Sequence, residues 1–490
     1  MHDMTEHNGS LRIGWAQTDL TPPEPVLIAG QFRARVSEGV ADPVTATALA
    51  LDDGTDHAVL VSCDLVAIGE ELLAAVRETA KTVQGLDPRK LVLHATHTHT
   101  GPVTRLNAYA YADGPDTTDG PGIELGAYPN RRVLAFLAAR IAEAVANAWA
   151  ARANGRIAFG LGHAVIGHNR RWVMTDGRAV MYGNTDCPEF SHIEGSEDHS
   201  LGVLATRDAN GRLTGLIVNV ACSSQVSEND CTISADYWHE TRRELRRRLG
   251  ADLFVAAQCS AAGDQSPHLL YDKTPEQRML QRAGRTQREE LALRVAEAVE
   301  RVLSILGQRD DLHAPLLHRV ETLALPLNPL TAEQVQAART EAGKWQERYE
   351  TLLQKVQTDP ARREQPRWYV ELTSAQQHML RHQRVVQASE KQPEDARCPC
   401  ELHVIRLGEI VFATNPFEYY LDHGIHIKAR SRATQTFLIQ LAGTGSYVPS
   451  LRSTRGGGYG SVPGSNRVGP DGGRKLAEWT VRTIAELFGT

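Results

Sequence analysis

Hydrophobic and polar positions along this chain follow two alternating patterns. Short apolar runs predict strands, and longer stretches with apolar residues three or four apart predict helices. The predicted strands cover 57–68, 90–95, 215–221, 253–257, 410–414 and 436–441, and the predicted helices cover 71–83, 130–151 and 474–488. Because strands and helices alternate along the sequence, the pattern predicts an α/β fold.

Residues 331–395 depart from this alternation because they are charged and helical for most of their length. Thr331 is a suitable N-cap for a first helix that continues to residue 357, where Asp359-Pro360 interrupts it. A second helix is predicted over 373–391. We interpret the segment as a helical hairpin inserted in the main domain, with its charges facing solvent. A contact in a homo-oligomer is the alternative role.

The expected organisation is a flexible tail at residues 1–11, followed by one domain over 12–490 that contains the insertion at about 331–395. The 490 residues are 41% hydrophobic and 23% charged, with a formal net charge of -6. This balance gives no basic surface for nucleic acid. No run of about 20 apolar residues is read as a membrane span, and the polar N-terminus lacks the order of a secretory signal. We therefore expect a cytoplasmic protein without stable membrane insertion.

Chemically capable residues follow several of the predicted strands, in loops where functional groups are often held by a rigid sheet. They are His97 and His99 after strand 90–95, Cys222 after 215–221, Asp264 and Ser266 after 253–257, Glu418 after 410–414, and Tyr447 after 436–441. Their positions predict one site assembled from strand ends.

The segment His94-Ala95-Thr96-His97-Thr98-His99-Thr100-Gly101-Pro102 concentrates three histidines in six residues. In an extended segment, residues two apart point the same way, so two imidazoles can face one cavity and bind zinc. Surface histidines in a Thr-rich loop are the alternative.

Other enzymes with two histidines at this spacing match the chain less well. Metallo-β-lactamase-type proteins continue the motif as HxHxDH, whereas Thr-Gly-Pro follows His99 here. TIM-barrel amidohydrolases carry HxH on their first strand, whereas another predicted strand precedes this one. That second alternative is weakened and stays open.

Residues 96–102 resemble the THTHSGP signature of the neutral/alkaline non-lysosomal ceramidase family. Further segments resemble that family's motifs in the same order, namely 14–21 (G-x-A-x-x-D-I-T), 61–65 (S-x-D-L), 169–170 (N-R), 263–267 (G-D-x-S-P), 415–418 (P-G-E) and 445–448 (G-Y-V), with Tyr459 twelve residues after Tyr447. The resemblance covers most of 12–490 outside the insertion. It implies a mixed-sheet catalytic domain.

The family holds Zn²⁺ with two His, one Glu and one Tyr, which implies His97, Glu418 and Tyr447 as ligands here. The second histidine departs from the pattern. The family reads N-x-A-x-H-P-T, whereas this chain reads Asn219-Val220-Ala221-Cys222-Ser223-Ser224.

Cys222 stands at or next to the place of that histidine, and a thiolate is a good zinc ligand, so we expect Cys222 as the fourth ligand. One alternative is a small buried residue beside an empty or water-filled position. A second is that a spare histidine supplies the missing ligand: His239 first, or His268, His94 or His423.

The remaining matched residues receive roles in catalysis. His99 is expected to shuttle a proton, and Arg170 and Tyr459 to donate hydrogen bonds to an oxyanion or to a polar group of the substrate. Ser266 lacks a G-x-S-x-G elbow and is expected to shape the site or to contact the substrate rather than attack it. Asp264 is expected to orient a histidine or loop N–H groups, or only to form a turn.

The implied reaction is attack of zinc-bound water on an amide carbon. Ceramidases of this family are typically secreted or membrane-facing and carry a C-terminal immunoglobulin-like domain, which we do not expect here. The expected substrate is therefore a small soluble or N-acylated amide. Three alternatives remain open: a ceramidase acting on N-acylsphingosine, a zinc ester or phosphoester hydrolase, and a non-catalytic metal-binding relative.

Overall fold

The computed structural model describes residues 10–106, 109, 124–306, 314–391 and 396–489. Residues 1–9 of the predicted tail and 392–395 of the predicted insertion lie outside the described residues. Leu11, which the sequence analysis assigned to the tail, is fully buried. The core of the domain therefore includes residue 11.

The described residues form strands and helices in alternation, as the hydrophobic pattern predicts. The strands are β1 Arg12–Asp19, β2 Thr45–Asp52, β3 His57–Cys63, β4 Leu91–Ala95, β5 Ala153–His163, β6 His168–Asn169, β7 Arg171–Met174, β8 Ala179–Met181, β9 Phe190–Ile193, β10 Ser200–Asp208, β11 Leu213–Val220, β12 Phe254–Cys259, β13 Gln265–Ser266, β14 Leu316–Pro326, β15 Arg397–Leu407, β16 Ile410–Thr414, β17 Glu418–Tyr419, β18 Gln435–Ile439 and β19 Tyr447–Val448. The helices are α1 Glu70–Ala80, α2 Asn130–Ala150, α3 Tyr237–Leu249, α4 Lys273–Ala283, α5 Gln287–Leu306, α6 Ala332–Thr358, α7 Val370–Lys391, α8 Leu421–Arg430, α9 Leu451–Gly456 and α10 Gly469–Leu487.

Two sheets stack face to face at the centre of the molecule. The larger has eight strands in the order β12-β11-β10-β5-β1-β2-β3-β4, and the smaller has four in the order β14-β15-β16-β18. The pairs β3/β4, β11/β12 and β16/β18 are parallel, and the other neighbours in these two sheets are antiparallel. Both sheets are therefore mixed, and the predicted mixed α/β fold is confirmed.

Helices cover the outer face of each sheet, which gives four layers. Helices α1 and α2 pack on β2–β4, and α3 and α5 pack on β10–β12. The inner faces of the two sheets meet through side chains such as Leu60, Ile217, Phe412 and Phe437. Helices α8 and α10 close the far side of the smaller sheet. Burial on both faces leaves the strand ends as the available places for chemistry.

Helix α2 is long and apolar enough to cross a membrane by length and composition, which the sequence analysis did not recognise. Here 56% of its most apolar 18-residue window is buried inside the protein. Val133, Leu137, Ile141 and Val145 face the sheet. Such burial is typical of a core helix.

The insertion folds as the predicted hairpin of α6 and α7. Thr331 caps α6 with a capping box to Gln334. Helix α7 begins at Val370, three residues before the predicted start. The hairpin docks on the main domain where Tyr369 and Leu372 pack against residues that include Leu27, Ala34 and Val103.

Candidate active site

The loops that follow β4, β16 and β18 meet at one end of the stacked sheets. The backbone N–H of Ala95 donates to the carbonyl of Leu441 (3.3 Å), and the hydroxyl of Thr444 donates to that of Ile68 (2.7 Å). This brings His97, Glu418 and Tyr447 together although more than 300 residues separate the first from the others.

His97 has a left-handed backbone conformation, with φ of 64°. A non-glycine residue in this region is uncommon, and such strain clusters at functional sites. Its Nδ1 lies 2.7 Å from the carbonyl oxygen of Val66. Because that oxygen only accepts, Nδ1 carries a hydrogen, and Nε2 faces Glu418 Oε2 at 3.4 Å.

Glu418 and Tyr447 are paired directly across the short parallel bridge β17/β19. Tyr447 lies beside the Glu418 carboxylate and favours its ionised form. Burial opposes ionisation of Glu418, but His97, Arg170 and Tyr447 outweigh it and hold the pKa of the carboxyl below its ordinary value. Glu418 is therefore an anion at neutral pH.

Arg170 is fully buried beside this anion. Its Nη2 lies 3.6 Å from Glu418 Oε2 and donates to the Tyr447 hydroxyl (3.2 Å) and to the carbonyl of Gly263 (2.8 Å). Its Nη1 donates to the hydroxyl of Tyr182 at 3.0 Å. The guanidinium is thus held by several partners in one orientation.

Arg170 and Asp264 belong to segments that pair with each other. Strands β6 and β13 are antiparallel neighbours, and the N–H of Arg170 donates to the carbonyl of Asp264 (2.9 Å). The Asp264 carboxyl accepts from the N–H of Leu421 (2.9 Å) and from the amide of Asn169 (3.2 Å). Burial raises the pKa of Asp264 to about 6. Asp264 therefore ties the Arg170 segment to the start of α8, just after Glu418.

Ser266 is fully buried, and its hydroxyl accepts from the N–H of His268 at 3.2 Å. It also hydrogen-bonds to Tyr182, the residue that accepts from Arg170. Ser266 therefore helps to position Tyr182, which in turn contacts Arg170.

His99 lies next to His97, with 3.4 Å between their Nε2 atoms. Burial, together with the positive charges nearby, lowers the pKa of His99 well below its ordinary value, so the ring is neutral. Gly30 allows this position, since a Cβ on Gly30 would lie 2.6 Å from Cγ of His99.

Tyr459 completes the cluster from the glycine-rich loop. Its ring meets that of Tyr447 edge-on, with 5.3 Å between the ring centroids. Arg171, which pairs with the buried Glu194 at 2.6 Å, donates to the carbonyls of Tyr459 and Gly457, each at 2.7 Å. The loop is thereby anchored to the segment that carries Arg170.

Cys222 is placed differently from the other predicted ligands. Its Sγ lies 3.3 Å from each of the carbonyl oxygens of Ile166 and Ser223, either of which can accept the thiol hydrogen, and its side chain belongs to the core between β11 and α3. Burial raises the pKa of the thiol, which disfavours a thiolate. The structure therefore corrects the expectation that Cys222 lies with His97, Glu418 and Tyr447.

The spare histidines occupy four separate environments. His94 is fully buried in β4, and burial lowers its pKa to about 3. His239 lies on α3, 3.9 Å from Asp42, and His423 stacks on Tyr419. Only His268 has a described contact beside the cluster, through the carbonyl of Gln225 at 2.8 Å.

Gln225 is a site residue that the sequence analysis missed. Its amide nitrogen lies 2.9 Å from His99 Nε2, and its amide oxygen accepts from Arg170 Nη1 at 3.2 Å. It lies three residues beyond Cys222, in the loop that follows the altered family motif at residues 219–224. The departure from the family motif in this loop indicated that the site differs here. It did not indicate that Gln225 is the residue that contacts His99.

A cleft of about 450 Å³ borders these groups, lined by residues that include Tyr182, Glu228 and His268. Glu228 lies 3.7 Å from His99 and 3.8 Å from His268. The sequence analysis identified neither Tyr182 nor Glu228. A space of this size accommodates a small organic molecule.

The chemistry of the donor set fits a zinc ion. Nε2 of His97 and Oε2 of Glu418, an imidazole nitrogen and a carboxylate oxygen of the kinds that bind zinc, face each other at 3.4 Å. A bound cation would satisfy both, and the Val66 carbonyl orients His97 as ligating histidines are usually oriented. Within the described part of the chain, no three His, Cys, Asp or Glu side chains form a preformed metal group. The third donor near these two is the phenol of Tyr447.

Comparison with solved structures locates this architecture among known proteins. The neutral ceramidase from Pseudomonas aeruginosa matches with a TM-score of 0.66 and 17% identity, over 98% of this chain and 75% of that one. The chain has the fold of a neutral ceramidase. A second structure, a ceramidase complexed with C2, matches with a TM-score of 0.66 and 16% identity, over 98% of this chain and 76% of its own.

No protein-family model matches the sequence, and no curated protein does. The similarity to ceramidases is therefore detected by comparing structures, at 16% to 17% sequence identity.

Proposed function

We propose that this protein is a zinc-dependent hydrolase that cleaves the carbon–nitrogen bond of a small soluble or N-acylated amide. The observation that carries the proposal is the convergence of His97, Glu418 and Tyr447 around one point, with Arg170 beside them. The ceramidase fold supports it, because the matched structures are those of proteins named for an amide-cleaving activity.

His97, Glu418 and Tyr447 would hold the metal. Zinc, when bound, supplies a Lewis acid for a carbonyl and lowers the pKa of a water molecule. Arg170 keeps Glu418 ionised and ready to bind a cation. The buried guanidinium also provides positive charge where an amide carbonyl would become an oxyanion.

His99 would transfer a proton during the reaction, and Tyr459 would orient the substrate through a hydrogen bond. His99 lies beside His97 and would accept a proton from an attacking water molecule, and Gln225 fixes the plane of its ring. Burial raises the pKa of Tyr459 to about 12, so its hydroxyl stays a hydrogen-bond donor at neutral pH. A substrate carbonyl beside Tyr447 would be within the reach of such a donor.

The test combines metal analysis with a substrate panel. We expect the purified chain to carry close to one zinc per protein and to hydrolyse small N-acylated amides, and Glu418→Gln to lose both properties. A fluorescent ceramide, an ester and a phosphoester complete the panel. Turnover of ceramide alone would contradict the substrate class, and turnover of esters alone would contradict the bond. Bound zinc without any turnover would identify a non-catalytic relative.

A further inference from the structure

The inserted hairpin reaches the candidate active site through the inner side of α7. Arg381 of α7 lies with its guanidinium carbon 5.1 Å from the ring centroid of Tyr459 and 5.7 Å from that of Phe32. The ring of Tyr459 in turn packs edge-on against that of Tyr447, with 5.3 Å between the centroids. The insertion therefore places the Arg381 cation near the proposed metal ligand Tyr447, with only the Tyr459 side chain between them.

An aromatic wall accompanies this cation. The ring of His378, one turn before Arg381, stacks on Trp345 of α6 at 4.4 Å and on Phe32 of the main domain at 5.1 Å. Phe32 meets Tyr459 edge-on at 5.5 Å. Burial and Arg381 lower the pKa of His378, so the stack is uncharged at neutral pH. These rings thus form a neutral surface beside the positively charged guanidinium of Arg381.

The partners of Arg381 in the described part of the chain are all neutral. Nε donates to the carbonyl of Gly464 (3.2 Å) and Nη2 to the hydroxyl of Ser465 (2.6 Å), and the two aromatic rings lie beside the guanidinium. Burial lowers its pKa. A half-buried cation that faces only neutral groups retains most of its desolvation cost. An anion bound beside it would form a charge-assisted hydrogen bond and offset that cost.

We propose that the helical insertion selects the substrate of this site, with Arg381 binding a carboxylate of the amide substrate and the wall of Phe32, His378 and Trp345 packing against its neighbouring part. This inference rests on the proposed function of the same site. The substrate class is therefore an N-acylated compound with a free carboxylate, such as an N-acyl amino acid. The cation lies on the Tyr459 side of the cluster, so the carboxylate and the scissile amide bind at adjacent positions.

The test uses N-benzoylglycine and its neutral carboxamide, which differ only in the charged group. Binding is measured by calorimetry in the zinc-loaded His99→Ala background, which keeps the proposed metal ligands but lacks the proposed proton acceptor, with and without Arg381→Gln. We expect the carboxylate to bind about 10- to 100-fold more weakly when Arg381 is replaced, and the carboxamide to bind unchanged. Arg339→Gln is the matched control, since Arg339 is an exposed residue of the same hairpin and its loss changes the net charge equally.

Hydrolysis of the same pair by the wild-type chain and by Arg381→Gln separates this inference from the proposed function. Selective, Arg381-dependent binding of the carboxylate without any hydrolysis would support the inference and contradict the hydrolase. Hydrolysis of both compounds with equal kcat/KM would support the hydrolase and overturn the inference. Failure of N-benzoylglycine to bind, or an equal loss for both compounds in Arg381→Gln, would also overturn it, because a purely structural Arg381 affects both alike.

Discussion

Glu418 lies directly opposite Tyr447 in the parallel bridge β17/β19, and His97 approaches the same carboxylate from the loop after β4. Three separate strand ends therefore deliver one nitrogen and two oxygens to a common point.

Replacing His97 with Ala is expected to abolish zinc binding and to reduce amide hydrolysis by at least about a hundredfold, because Nε2 is the nitrogen donor that faces Glu418. Zinc is measured by atomic emission after dialysis, and circular dichroism checks the fold. His239→Ala is the control, since His239 lies on α3 beside Asp42. Zinc at full occupancy in His97→Ala would remove His97 from the ligand set.

Replacing Cys222 with Ala is expected to leave the zinc content unchanged and to lower the free energy of unfolding by about 1 kcal/mol, which reflects the lost hydrogen bonds of a buried thiol. The thiol faces the carbonyls of Ile166 and Ser223. Zinc content and urea unfolding are measured on the same preparation. A variant that folds normally but has lost its zinc would restore Cys222 as a ligand.

Asp64 and Arg242 form a buried ion pair that supports the histidine loop. Two hydrogen bonds of 2.7 and 2.9 Å join them, and Asp64 also accepts from Thr96, the residue before His97. Asp64→Asn is expected to lower the free energy of unfolding by about 3–5 kcal/mol, because the Arg242 charge stays buried without its partner. Chemical denaturation provides the measurement.

The control for that substitution is Arg212→Gln, which removes a pair whose side chains are 67% and 84% exposed. Its effect is expected to stay below about 1 kcal/mol. Equal effects of the two substitutions would show that the buried pair contributes no more than a surface pair.

Asp264 is expected to make stability depend on pH. Burial raises its pKa from 3.8 to about 6. Between these values the folded chain keeps a proton that the unfolded chain has released, so stability is greatest below the lower value and falls as the pH rises through the upper one. The loss is on the order of 2–3 kcal/mol.

The free energy of unfolding at pH 4.5 and pH 7 is compared for the wild type and Asp264→Asn. The variant cannot titrate at this position but keeps an oxygen for the N–H of Leu421. We expect a smaller decrease between the two pH values in the variant. An identical decrease in both proteins would assign the pH dependence to other groups.

Much of the fold follows from local patterns that can be read along the chain. The predicted strand 410–414 matches β16 in full, the predicted helix 130–151 differs from α2 by one residue, and Thr331 caps α6 as expected. Other elements were missed. Examples are β2 (TATALALD), whose Ala and Thr positions are buried on both faces, and α3, whose run of arginines conceals a short apolar face. Period and propensity are weak signals where a buried residue is small or a helix is mainly charged.

Local motifs indicate which residue types the site can use. The segments around His97, Arg170, Glu418, Tyr447 and Tyr459 predict its members. The three-dimensional fold sets which of them meet, because contacts between residues hundreds of positions apart depend on how the strands pair. It turned Cys222 into the core and Gln225 towards His99, although the two are three residues apart. It also placed Arg381 of the insertion beside Tyr459, a contact for which the sequence has no local signal.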